Sequence, residues 1–204
     1  MTTMFNIKNL FLRALLALSI AVGAPAAMAG PVYSVSIDTS SLAGTSGLLD
    51  LMFLGLETPN PTFARISNFS GDFFGEPIPE GDVVGDIASG VVMGNRTGYN
   101  VFDQAVRFGG LLSFDVSFET EYELIGTTLS VALLDMAFNY VGADSHLLAI
   151  DVLANAPATI DILAPGLVSV AELPPAEVPE PRDWLLVATG LVLLGATRRL
   201  QQRR

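Results

Sequence analysis

Leu112-Ser113-Phe114-Asp115-Val116-Ser117-Phe118-Glu119 alternates apolar and polar residues without a break. Successive side chains of an extended chain point to opposite faces, so Leu112, Phe114, Val116 and Phe118 share one face and the polar residues the other. A helix would mix the two sets. The stretch reads as a half-buried β-strand, and similar runs occur at 32–38, 48–54, 63–69, 83–92, 127–135, 147–153 and 158–163. Turn signals separate them: Gly44-Thr45-Ser46-Gly47, Gly71-Asp72, Glu80-Gly81-Asp82, Gly94-Asn95 and Gly142-Ala143-Asp144. About eight strands with short connections predict an all-β body, an antiparallel β-sandwich or jelly roll. Residues 100–108 fit two patterns: a helix with Val101, Ala105 and Phe108 on one face, or a strand leading into the 112–119 run.

Both ends of the chain differ from this body. Lys8 and Arg13 precede an apolar run over 14–27, and Ala27-Met28-Ala29 provides a small-x-small cleavage site before Gly30. This is the pattern of a Sec-type signal peptide over 1–29, handled by the Sec machinery and signal peptidase, and it predicts a flanking segment removed on export. At the other end, alternation stops after residue 163 and prolines gather at 165, 174, 175, 179 and 181. Residues 164–181 therefore read as a semi-extended linker. Beyond it, 182–204 holds Trp184, an apolar run to residue 196 and the basic end Arg198, Arg199, Arg203 and Arg204. As a helix that run reaches about 20 Å against about 30 Å of hydrocarbon, a marginal anchor with its arginines on the cytoplasmic side.

Val178-Pro179-Glu180-Pro181, the hydrophobic segment and the arginines stand in an order that resembles the PEP-CTERM sorting signal processed by exosortases. Trp184-Leu185-Leu186, Gly190 and Gly195 add to the resemblance. It implies a transient inner-membrane anchor, cleavage at or near Pro-Glu-Pro, and a product at the cell surface or outside the cell. In the body, the run from Val35 to Gly47, Leu49-Asp50-Leu51 and Phe108-Gly109-Gly110 before Ser113-Phe114-Asp115 are similar to a group of small PEP-CTERM proteins of unassigned function.

Charge and composition close several classes. Residues 30–181 contain three of the ten basic residues and twenty of the twenty-one acids, a net charge of −17. Such a field repels nucleic acid. The chain has no cysteine and a single histidine, His146, which excludes thiol catalysis, disulfide scaffolds and iron–sulfur sites. Asp144-Ser145-His146 are too close in sequence to converge as a triad, and no P-loop or dinucleotide fingerprint occurs.

The remaining pattern is acidic: Asp72, Glu76, Glu80, Asp82 and Asp86 fall within one Gly- and Pro-containing segment with no basic residue. Its oxygens could ligate Ca²⁺, or the segment is simply a solvated loop. The resulting expectation is an exported, non-catalytic structural or adhesive protein of the cell surface or exopolysaccharide matrix. A calcium-dependent glycan-binding module is the alternative, and a hydrolase working with two carboxylates is the outlying one.

Overall fold

The computed structural model describes residues 30–55, 62–119, 126–153 and 157–173. The sorting and processing residues Ala27, Ala29, Val178, Pro179, Glu180, Pro181, Trp184, Arg198, Arg199, Arg203 and Arg204 lie outside the described residues. Within them the chain is all-β. The first half forms β1 (Val32–Asp38), β2 (Ser46–Leu54), β3 (Phe63–Ser70), β4 (Ile78–Glu80), β5 (Val83–Asp86) and β6 (Gly90–Gly94). The second half forms β7 (Val101–Arg107), β8 (Leu111–Glu119), β9 (Thr127–Leu134), β10 (Leu148–Val152), β11 (Thr159–Ile162) and β12 (Val168–Leu173).

Two six-stranded antiparallel sheets result. Sheet A has the order β12-β1-β8-β3-β6-β5 and sheet B the order β11-β10-β9-β2-β7-β4. The alternation in β8 has the expected consequence: Leu112, Phe114 and Val116 are buried and join Val35, Ile37, Ala64 and Ile66 of the same sheet. Leu49, Leu51 and Phe53 of β2 meet them from sheet B, with Phe102 and Val106 of β7 and Leu129, Val131 and Leu133 of β9. One apolar layer thus joins the two sheets.

Four local outcomes refine the sequence reading. Residues 83–92 are not one strand but the hairpin β5–β6, because Asp86 accepts the Ala88 and Ser89 amides at 2.9 and 2.7 Å and turns the chain. Residues 100–108 settle as strand β7, the middle of the β2–β7–β4 ladder. Val168–Leu173, placed in the linker by its weak pattern, pairs with β1 from Val32↔Leu173 to Ile37↔Val168, so the body extends past residue 163. Finally, residues 39–45 do not close a hairpin between β1 and β2, which lie in different sheets; they form an arch across the core.

That arch explains why Thr39 and Gly109-Gly110 both stand out in the sequence. Thr39 is fully buried, and its hydroxyl donates to the Gly110 carbonyl at 2.6 Å while accepting the Gly109 and Gly110 amides at 3.0 and 3.2 Å. One side chain therefore ties the β1–β2 arch to the β7–β8 turn. Gly47 is required where β2 starts: a Cβ there would come within 2.0 Å of the Leu134 carbonyl oxygen. In β3, Asn68 adopts φ 55° at a register shift against β8, which returns Phe69 to the core beside Phe73, Phe102 and Phe114.

Candidate functional site

The outer face of sheet B is where the chain breaks the rule of polar residues outside. Leu49, Leu51 and Phe53 point into the core, so Leu48, Asp50 and Met52 point the other way. Asp50 is nevertheless only 7% exposed, and Asp103, directly opposite it on β7, only 6%. Leu48, Ala132 and Leu134, with Ala105 against them, form a second small apolar cluster on this same face. The acid pair is sunk beside it.

Two further segments raise walls around the pair. β4 pairs with β7 through Ile78↔Asp103 and Glu80↔Val101, placing Ile78 and Glu80 at the rim. Opposite, residues 135–140 fold back on Asp135, whose carboxylate accepts the Ala137 and Asn139 amides at 2.8 and 2.9 Å and the Asn139 side chain at 3.0 Å. These bonds hold the Asp135 carboxyl below its ordinary range, with the Asn139 side chain the largest cause. The loop carries Phe138 at φ 63°, a left-handed conformation that costs a non-glycine residue about 1–3 kcal/mol. A bridge from Leu134 to Tyr140 closes the loop.

The result is a cleft of about 350 Å³, near the lower end of the roughly 300–1,000 Å³ usual for small-ligand sites. Asp50 and Asp103 lie in it, and Ile78, Tyr99, Phe138 and Tyr140 line it while remaining between 43% and 60% exposed. His146 supports Tyr140 from behind, ring to ring at 5.5 Å in an edge-on arrangement.

Two like charges facing each other across a ladder repel, and burial removes the water that would screen them. The pair resolves this by holding a proton. Burial, followed by the hydrogen bond and charge of Asp103, raises the Asp50 carboxyl to about 7. Asp103 is also raised, by burial first and by Glu80, with the Asp50 hydrogen bond opposing. Asp103 Oδ1 is buried and receives no hydrogen bond from any N–H or hydroxyl of the described residues.

Among the described residues no basic side chain offsets these acids. Arg65 forms a fork with Glu119, its Nη2 at 2.9 Å from Oε2; Arg107 reaches Asp72 at 3.0 Å and lies over Phe74. Arg96 stands 3.8 Å from Asp82 and over Phe63. All three arginines of the body are thus engaged away from the cleft.

The five acids of the 72–86 segment separate. Asp72 faces Arg107 and Asp82 faces Arg96, Asp86 caps the β5–β6 turn, and Glu80 alone reaches the cleft. Glu76 borders, with Asp86, an open groove of about 700 Å³ between the 73–77 segment and the β5–β6 turn. Gln104 at its base already donates to the Phe74 carbonyl at 2.7 Å, so this larger groove presents no unsatisfied chemistry from that amide. Among the described residues no three His, Asp or Glu side chains are grouped to hold a metal ion. His146 lies in a loop, with Ser145 bonded to its carbonyl and not to its ring.

The sequence reading missed Asp50 and Asp103. A signal was present: each is an acid within an apolar strand segment, Leu49-Asp50-Leu51 and Val101-Phe102-Asp103. No protein-family model, characterised protein or solved structure matches the chain.

Proposed function

We propose that the chain is an exported, exosortase-sorted protein whose body is a non-catalytic adhesive module of the cell surface or exopolysaccharide matrix. The signal peptide and the C-terminal hydrophobic helix deliver the body and are removed, and the two-sheet body does the adhering. The observation that carries this reading is the cleft on sheet B, where Ile78, Tyr99, Phe138 and Tyr140 keep large apolar surfaces in water. Exposed tyrosines offer flat faces to a sugar ring, and a contiguous apolar surface rimmed by polar groups is the usual mark of a contact site. The hydrolase reading has less support: Asp50 and Asp103 are directly paired neighbours on β2 and β7, whereas the two carboxyls of a glycosidase flank the scissile bond.

The test follows the full chain in an exosortase-bearing host. The protein should be recovered from the surface or matrix fraction, lacking residues 1–29 and the C-terminal segment. A Tyr99→Ala/Tyr140→Ala variant should be processed identically and then escape into the medium. Retention of the variant in the matrix, or wild-type protein left in the cytoplasm, would overturn the proposal.

A further inference from the structure

We propose that the sheet-B cleft binds the ammonium group of an amino sugar, held at Asp50 and Asp103 with the sugar ring against Tyr99 and Tyr140. This deepens the adhesive reading above and rests on it for the sugar; the cation assignment stands on the cleft itself.

Three observations converge. First, Asp103 is more than nine-tenths buried, lines the cleft, and has an oxygen that receives no hydrogen bond from an N–H or hydroxyl of the described residues. A donor that enters from outside would complete it, and an ammonium group brings three. Second, among the described residues the cleft holds Asp50, Asp103 and Glu80 with no basic residue, and the three arginines there are occupied elsewhere. Third, the walls are aromatic. A hard metal ion requires several converging oxygens, and no three acids are so grouped among the described residues. Acid at the base and π-faces at the rim are instead the surroundings that favour an organic cation.

Near neutral pH the pair retains a proton on Asp50, so an incoming –NH₃⁺ displaces it: the Asp50 O–H bond breaks, the proton leaves to solvent, and both carboxylates accept N–H donors. Affinity therefore rises with pH up to about neutrality. The other titratable groups around the pair are Glu80 on β4, Tyr99 before β7, Tyr140 after β9 with His146 behind it, and Asp135 at the base of the 135–140 loop. Of these Asp135 is held below its ordinary range by its hydrogen bonds to Asn139, and Glu80 adds a further acid at the rim; both favour a cation and leave the sign unchanged.

The experiment is calorimetric titration of the full chain, in mild non-ionic detergent, with a glucosamine disaccharide and with its N-acetylated counterpart at pH 5, 6 and 7. The amine should bind at least about tenfold more tightly than the acetamide at pH 7 and lose about tenfold between pH 7 and pH 5. Asp50→Asn, which removes the exchangeable proton and one charge, should abolish that pH dependence. Equal binding of the two sugars, or an amine affinity flat from pH 5 to 7, overturns the ammonium assignment and leaves glycan adhesion standing. Binding of neither overturns the assignment as well, while matrix retention decides the adhesive reading separately. Should Asp50→Asn fail to fold, the two-sugar comparison and the wild-type pH profile still decide. A plain alkylammonium ion that binds as tightly as the amino sugar overturns the role given to the ring.

Discussion

Asp50 is an acid whose burial has opposite meanings at the two ends of the pH scale. Its carboxyl moves from 3.8 to about 7 on folding. Between those values the native state keeps a proton that the unfolded chain has released, so stability is complete below about pH 4 and declines as pH rises towards 7. Asp38, Asp86, Asp135 and Glu119 act in the other direction: each is lowered by hydrogen bonds to its charged form, so each withdraws its contribution as pH falls. Asp50→Asn retains a donor towards Asp103 without the buried charge. Its melting temperature should match the wild type at about pH 4 or below and exceed it at pH 8, by about 2–4 °C for each 1 kcal/mol recovered. A variant that loses stability equally at both pH values would show that the pair does not share a proton. Thr39 is the complementary case: its hydroxyl, bonded on three sides, has no charge to titrate and acts at every pH.

At the scale of elements, legibility follows how many faces of a strand are covered. β8 and β1 have one face in the core and one towards solvent, and their alternation is visible in the residues themselves. β7 is buried on both: Val101, Phe102, Asp103 and Gln104 are all inaccessible, so period two disappears and 100–108 fits a helix as well as a strand. The cleft remained hidden for the same reason, since Asp50 and Asp103 meet only through the β2–β7 pairing, fifty-odd positions apart. β12 fails in the opposite sense: as an edge strand it buries only Val168 fully, and too little of its pattern is apolar to register. Its removal is nonetheless costly. A body ending at residue 163 loses the burial of Val168, worth roughly 1.5–3 kcal/mol, and exposes β1 as a new edge. Residues 30–175 should therefore remain soluble and melt higher than residues 30–163, which should self-associate. Equal melting temperatures would mean that β12 contributes nothing to the sheet.

For the whole molecule the decisive property is the route of the chain. Only the β5–β6, β9–β10 and β10–β11 connections stay within a sheet; every other one passes from sheet A to sheet B or back. Neither sheet can form from a continuous piece of sequence, and each core residue waits for partners distant in the chain. Such a topology folds slowly, in milliseconds to seconds, and as one unit. Denaturant unfolding of residues 30–175 followed by far-ultraviolet dichroism and by tyrosine fluorescence should give superimposable curves; separated transitions would mean that one sheet survives alone. The ladder between β12 and β1 carries a different implication. Leu173, the last described residue, pairs with Val32 at the start of β1, so the two ends of the body emerge side by side. Tension applied through the chain beyond Leu173 would load the β12 hydrogen bonds one after another instead of together. A body tethered by that end would let go of its edge strand like a peeled tape, yielding a short length of slack before the two-sheet core bears any force.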